Sequence, residues 1–154
     1  MDQSQGRFTM YDAVDITNIP DHPTAVAGYV DGNWPTFHAL VIRFPKAKHL
    51  SIAVTAEAKA RCLDVETGDA RPDEAPRWVG LQHARGIKRP IVYANTSTMP
   101  EVINFLEKDG IRRWEYLVWT SHYTGVEHIE PGSDATQRTD TAGFDTSLCE
   151  SYFL

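Results

Sequence analysis

The second half of the chain alternates apolar stretches with segments that have the periodicity of amphipathic helices. The apolar stretch 90–94 is followed by a helical pattern that Ser97 or Thr98 can cap and that Gly110 ends. Another apolar stretch, 114–120, comes next. A strand, a helix and a strand in this order predict parallel β/α units, with helices packed on the sheet.

The first half contains the same kinds of element, with shorter crossovers. Strands are predicted at 8–14, 24–30, 49–55, 61–65, 90–94 and 114–120, and short strands near 126–129 and 136–139. Further helices are predicted at 36–44 and 74–86. A full (β/α)8 barrel typically needs about 250 residues, whereas this chain has 154. We therefore predict a single α/β domain over 1–154, a small, reduced (β/α) TIM-like barrel in which loops replace some helices.

The charge and hydropathy of the chain exclude several classes of partner. The net charge is −6 and the sequence pI is about 5.4, which argues against binding to nucleic acid or to an anionic membrane. No apolar run approaches the length of a membrane span. Met1 is followed by polar residues and not by the apolar core of a signal peptide. We expect a soluble protein that is made in the cytoplasm without its own export signal.

An acidic pair ends the predicted strand 61–65. Residues two apart in a strand point to the same side, so Asp64 and Glu66 share one face and Leu63 and Val65 share the other. Two neighbouring carboxylates repel each other and are costly to desolvate. Glycoside hydrolysis uses such a pair, with one acid protonated and the other ionised. The alternative is a strand that simply runs into an acidic, solvated loop.

Motifs for other chemistries are absent from the sequence. There is no phosphate-binding glycine loop, no G-x-S-x-G elbow and no H-x-x-x-H pair. Cys62 and Cys149 are too far apart in sequence for a zinc knuckle or a redox pair, and their oxidation state is left open. We predict no cofactor and no metal, although Asp64, Glu66 and Asp69 could hold a hard cation such as Mg²⁺ or Ca²⁺.

An ordered set of short motifs runs through the chain. It reads VAGYVDG at 26–32, LDVETGDA at 63–70 and GFDTS at 143–147, with Tyr11 and Asp12 ending the first predicted strand. The chain thereby resembles the family 25 glycoside hydrolases, the lysozymes or muramidases related to phage and bacterial cell-wall lysins. It is closer still to the small glycoside-hydrolase-like proteins of actinobacteria and their phages. The resemblance runs from Tyr11 to the C-terminus.

The resemblance implies a role for each matched residue. Glu66 matches the general acid, which protonates the glycosidic oxygen. Asp64 matches a carboxylate that stabilises positive charge or orients a substrate acetamido group. Asp12 and Asp145 match acidic residues that complete the ring around the site. Aromatic positions of the substrate groove are matched by Tyr29, Tyr93 and Trp119.

Ordinary structural roles remain open for most of these residues. Asp12 could be a turn or cap residue and Asp145 could cap the C-terminal segment. The tyrosines could belong to the core as well as to the groove, and tryptophan is more often buried.

Two function classes follow from these residues. The first is a glycoside hydrolase that acts on a β-1,4-linked amino-sugar polymer such as peptidoglycan, with a carbohydrate polymer as its only expected partner. The alternative is a catalytically inactive carbohydrate-binding protein, or a phage structural or interaction protein, on the same fold. The sequence gives no indication of the oligomeric state.

Overall fold

The computed structural model describes residues 6–140 and 143–154. Over these residues the chain forms eight β-strands and three α-helices. The strands are β1 (Phe8–Asp12), β2 (Ala25–Tyr29), β3 (Lys48–Ala53), β4 (Cys62–Asp64), β5 (Ile91–Asn95), β6 (Leu117–Ser121), β7 (Ala135–Thr139) and β8 (Asp145–Cys149). The helices are α1 (Phe37–Arg43), α2 (Ala75–Ala84) and α3 (Met99–Lys108). No helix within the described residues has both the length and the apolar character that a membrane crossing requires.

The strands close into one barrel, in the order in which they occur in the chain. Each strand from β1 to β6 runs parallel to the next. The last strand, β8, is antiparallel to both β7 and β1 and closes the barrel. Helices follow β2, β4 and β5, and the other connections are loops or short 3-10 helices. The prediction of an α/β protein is confirmed, in the form of a mixed α/β fold with a closed eight-stranded barrel.

Alternating residues of each strand face opposite sides of the barrel wall. One set fills the barrel interior and includes Met10, Leu50, Ile91 and Trp119. The other set packs against the helices, with Leu63, Val65, Val92 and Val118 in contact with the cluster formed by Trp78, Val102 and Leu106. The predicted division between Leu63 and Val65 on one face and Asp64 on the other is therefore confirmed.

Gly28 sets how closely α1 packs on β2. A Cβ atom at residue 28 would lie 2.4 Å from Cδ1 of Leu40 and 3.2 Å from Cα of Phe37. We expect Gly28→Ala to lower the free energy of unfolding by about 1–3 kcal/mol, because the helix must move outward. Gly80 is the control, since a Cβ there meets nothing within 4 Å of the described residues.

Gly80 lies in α2, where alanine is the better helix former. Gly80→Ala should therefore raise the free energy of unfolding by up to about 1 kcal/mol. Urea denaturation of both variants measures the difference. Equal stability of the two variants would show that the contact between α1 and β2 is looser than described.

The structure differs from the predicted elements in three places. The strand predicted near 126–129 is wrong, because the side chains of Thr124 and His128 bond to the backbone N–H and C=O of Val126, which are then not available to a neighbouring strand. Strand β8 was not predicted, although its residues 145–147 belong to a recognised motif. The sixth strand begins at Leu117 and not at residue 114, since Trp114 lies in the 3-10 helix Arg113–Glu115.

Cys62 and Cys149 both lie in the barrel interior as free thiols. Burial raises the pKa of each thiol above its ordinary value. Both groups therefore stay protonated and act as small apolar side chains that fill space between the strands.

Candidate functional site

Acidic side chains meet at one mouth of the barrel, where the parallel strands have their carboxyl ends. Asp12 is the last residue of β1, and Asp64 is the last residue of β4. Because β8 runs in the opposite direction, its first residue, Asp145, lies at the same end and pairs with Asp12. Tyr29, the last residue of β2, completes the set. Closure of the barrel thus brings together residues that are far apart in sequence.

Asp64 is buried beneath this mouth and contacts Tyr29 from one side. Its Oδ2 atom accepts a hydrogen bond of 2.9 Å from the hydroxyl of Tyr29. Its Oδ1 atom is buried and has no hydrogen-bond partner among the residues that the structure describes. Asp64, Glu66 and Asp69 each bring a carboxylate oxygen to within 4.8 Å of the others. Glu66 is the exposed member of this group, whereas Asp64 is only 1% exposed.

Burial is the main reason why Asp64 holds a proton at neutral pH. It raises the pKa of Asp64 to about 9, with a further contribution from the neighbouring carboxyl group of Glu66. Tyr29 donates to Oδ2 and opposes this shift. Oδ1 of Asp64 has no donor among the described residues and is the oxygen that is free to carry this proton. The site thus places a buried acid with a raised pKa beside the exposed carboxyl group of Glu66.

A second acidic pair, Asp12 and Asp145, forms on the opposite side of the mouth. Burial and the neighbouring charge of Asp145 raise the pKa of Asp12 well above its ordinary value. Burial also raises the pKa of Asp145. The side-chain amide of Gln137 donates to Oδ2 of Asp12 at 2.9 Å, and Tyr93 donates to Oε1 of Gln137 at 2.6 Å. Gln137 thus links Tyr93 to Asp12 through two hydrogen bonds and orients the carboxyl group of Asp12.

Tyr29 lies between the two acidic pairs. Burial raises the pKa of its phenol above its ordinary value, as do the charges of Asp64, Asp12 and Glu66. The effect of all three acids on one hydroxyl indicates that the two pairs form one continuous acidic site. The site residues Asp12, Tyr29, Asp64, Glu66 and Asp145 are therefore brought together as a group.

The other two aromatic residues predicted for the groove lie deeper in the barrel. Trp119 is 2% exposed, and its indole nitrogen donates to the hydroxyl of Ser147 at 3.0 Å. The ring centroid of Trp119 is 4.6 Å from that of Tyr93, which is also buried. A ring without an exposed face cannot stack on a sugar. Trp119 therefore packs against the ring of Tyr93 inside the barrel. The hydroxyl of Tyr93 is linked to the acidic site through its hydrogen bond to Gln137.

The rim of the mouth contains residues that sequence reasoning did not select. Trp34 follows β2 and is 57% exposed, and Tyr123 follows β6 and is also exposed. The hydroxyl of Tyr123 donates to Oε1 of Gln137 at 3.0 Å. Their position in the sequence could have identified Trp34 and Tyr123, because the loops that follow barrel strands form the active-site face. Gln137 lies two residues after the interior residue Ala135, a spacing that places both on the inner side of β7.

An open cavity of about 400 Å³ leads to the acidic site. Tyr29, Trp34, Glu66 and Asp69 are among its lining residues. Its volume lies in the range of small-molecule sites. A slightly larger cavity, of about 470 Å³, lies at the opposite end of the barrel near Arg43 and Phe44 and contains no acidic pair. Of these two cavities, the one at the carboxyl-end mouth is therefore the one that meets the acidic group.

Comparison with known proteins does not add to this description. No protein-family model matches the chain, and no curated protein sequence matches it significantly.

Proposed function

We propose that the protein is a glycoside hydrolase that cleaves a β-1,4-linked amino-sugar polymer, with peptidoglycan as the preferred substrate. In this proposal the closed barrel is a reduced (β/α) TIM-like barrel of the lysozyme-like kind seen in actinobacteria and their phages. The observation that carries the proposal is the pair formed by the buried, protonated Asp64 and the exposed Glu66. Glycosidases require a proton donor and a second acid held in a different protonation state.

Glu66 is the residue of the pair that can reach a bound substrate, because it is exposed in the mouth cavity. In the proposed mechanism it donates a proton to the glycosidic oxygen as the bond from that oxygen to the anomeric carbon breaks. A water molecule then supplies the hydroxyl of the new reducing end, and the proton that this water loses returns to Glu66. The acid is regenerated, and one bond has been hydrolysed.

Asp64 supports this reaction without attacking the sugar. A neutral acid that is 1% exposed is a poor nucleophile. We therefore assign it the second of its two predicted roles, the orientation of a substrate acetamido group, which Asp64 exerts through the hydroxyl of Tyr29 that it holds. In substrate-assisted glycosidases the acetamido oxygen attacks the anomeric carbon, and a neighbouring acid orients it. This role explains the preference for an amino sugar.

Asp145 is the member of the second pair that can give the mouth a negative potential, because Asp12 is buried and its pKa is raised well above the ordinary value. Positive charge develops on the sugar ring in the transition state of glycoside hydrolysis. Acids at the rim of a poorly solvated site stabilise such a charge more strongly than they would in water. Gln137 orients the carboxyl group of Asp12 beside Asp145.

Trp34 provides an exposed aromatic surface beside the cavity and is the expected sugar-stacking residue. We expect Trp34→Ala to weaken binding of chitin or peptidoglycan oligomers about tenfold, which corresponds to ~1.4 kcal/mol. Trp114 is the matched control, since it is 69% exposed but precedes β6 at the other end of the barrel. Calorimetric titration should show normal binding for Trp114→Ala. Equal weakening by both substitutions would place the sugar elsewhere.

Release of reducing ends from purified peptidoglycan and from chitin oligomers tests the proposed activity directly. We expect release from at least one of these polymers, with new ends that carry an amino sugar. Mass spectrometry of the products identifies the bond that is cleaved. A folded protein that binds these polymers and releases no ends would contradict the proposed hydrolysis.

The second candidate is a carbohydrate-binding protein without catalysis. The observation in its favour is that aromatic side chains line the rim while Asp12 and Asp64 are both buried. Such a protein would bind the same oligomers through Trp34 and turn nothing over. Binding that is lost in Trp34→Ala, together with an absence of new reducing ends, would support this candidate.

A further inference from the structure

A cluster of three metal-ligating side chains lies on the long connection between β6 and β7. The connection runs from His122 to Asp134 and contains no helix or strand of its own. His122, His128 and Glu130 each bring one ligand atom to within 4.8 Å of the other two. Long connections without secondary structure are usually either functional or disordered. This connection is held together by its own side chains.

Glu130 stands between the two histidines. Its Oε1 atom contacts Nδ1 of His122, and its Oε2 atom lies 3.6 Å from Nε2 of His128. The backbone also fixes two of the three residues to β7. His122 donates its amide N–H to the carbonyl of Gln137 at 2.9 Å, and Glu130 donates its amide N–H to Oγ1 of Thr136 at 2.8 Å. The ligand atoms are thus held on anchored backbone.

A backbone hydrogen bond determines which nitrogen of His128 is free to bind a ligand. Nδ1 lies 2.7 Å from the carbonyl oxygen of Val126. A carbonyl can only accept, so Nδ1 carries the hydrogen and Nε2 of the neutral ring carries the lone pair. This lone pair faces the carboxylate of Glu130. Metal-binding histidines usually show this arrangement, in which the other ring nitrogen donates to a carbonyl or a carboxylate.

Both histidines approach the same carboxylate. Nε2 of His128 lies 3.6 Å from Oε2 of Glu130, whereas His122 contacts the other oxygen of that carboxylate. A cation at this point can accept one lone pair from Nε2 and another from the carboxylate. In a tetrahedral Zn²⁺ site with bonds of about 2.0–2.1 Å, neighbouring ligand atoms are ~3.3 Å apart. The separation between His128 and Glu130 is close to this value.

We propose that His122, His128 and Glu130 bind one Zn²⁺ ion, with a fourth position open to water. Two imidazoles and a carboxylate are a common ligand set for zinc and suit it better than they suit Mg²⁺ or Ca²⁺. The ion joins the beginning of the connection to its middle and so fixes the loop that carries Tyr123. The site is separate from the group formed by Asp64, Glu66 and Asp69, and it does not depend on the proposed hydrolysis.

Zinc binding to the whole chain, stripped of metal with EDTA, tests the proposal. Calorimetric titration with ZnCl₂ is expected to show one ion per chain. His122→Gln and His128→Gln should each weaken binding at least about tenfold. His38→Gln is the matched control, since His38 is exposed and lies on α1, away from the cluster. It should bind zinc as the unchanged chain does.

Substitution with Co²⁺ gives a second measurement on the unchanged chain, so the test does not depend on folding of the variants. We expect the visible absorption of four-coordinate Co²⁺ without a thiolate charge-transfer band, because both cysteines are buried. Three results would overturn the proposal: no stoichiometric zinc binding, binding that persists in His128→Gln, or binding that is lost in Glu66→Gln. The last result would place the ion in the acidic mouth.

Discussion

Replacing Glu66 with glutamine is expected to lower the rate of glycan hydrolysis by about 10²–10⁴-fold, the usual contribution of a general acid. Glutamine keeps the size of the side chain but cannot donate a proton to the leaving oxygen. It also removes a carboxylate that contributes to the raised pKa of Asp64. Because Glu66 is exposed, the substitution should leave the fold unchanged. The initial rate of reducing-end release at saturating peptidoglycan measures the effect.

Glu107→Gln is the matched control for this experiment. Glu107 is exposed on α3, a helix that packs on the outside of the barrel. Its replacement with glutamine removes the same charge as Glu66→Gln does. It should hydrolyse at the unchanged rate, and near-ultraviolet circular dichroism should show that both variants are folded. Hydrolysis by Glu66→Gln at the rate of the Glu107→Gln variant would rule out Glu66 as the acid.

Replacing Asp64 with asparagine is expected to stabilise the protein at neutral pH, even though the residue belongs to the site. Asparagine can still accept the hydrogen bond from Tyr29 through its amide oxygen. The gain comes from the unfolded chain, in which aspartate ionises freely and asparagine cannot. We expect an increase in the free energy of unfolding of about 2–4 kcal/mol at pH 7.

The sign of this effect follows from the two pKa values of Asp64. Its ordinary value of 3.8 applies to the unfolded chain, and burial raises the value to about 9 in the folded protein. The folded state therefore binds the proton more tightly. The corresponding stability is fully present below pH 4 and is lost as the pH rises through about 9. Asp64→Asn should accordingly differ little from the unchanged protein at pH 4 and exceed it increasingly towards pH 8.

Asp21→Asn provides the control for the stability measurement. Asp21 is exposed at the opposite end of the barrel, so its substitution should change stability little at either pH. Urea denaturation at pH 4 and pH 8 gives the required differences. If the gap between Asp64→Asn and the unchanged protein were the same at both values, Asp64 would not carry a strongly raised pKa. Active-site residues often lower the stability of the folded protein, as we expect of Asp64.

Local pattern was sufficient to predict the class of fold and the most distinctive part of the site. The alternation of strands and helices identified the α/β class, because parallel strands need crossovers that helices supply. The two-residue repeat placed Asp64 opposite Leu63 and Val65, since this repeat is a property of the extended backbone alone. Asp12 at the end of the first strand was likewise readable from residues nearby.

The long-range contacts could not be read from local pattern. Strand β8 was missed because its partners, β1 and β7, are supplied by barrel closure, which brings Asp145 beside Asp12. How deeply a side chain is buried also depends on closure of the barrel. The sequence predicted Trp119 in the substrate groove, whereas the closed barrel buries it in the interior. Spacing in sequence did not suggest a histidine site either, because His122, His128 and Glu130 meet only through the path of an irregular loop.

The sequence by itself determined which residues face the same side of each strand, because that follows from backbone geometry over two or three residues. It also determined that acids end the strands β1 and β4. Only the tertiary structure decided which acids meet and which of them is protonated. The pKa of Asp64 depends on burial and on Glu66 and Tyr29. Asp64 is buried only when the barrel is closed, so its raised pKa is a property of the folded protein.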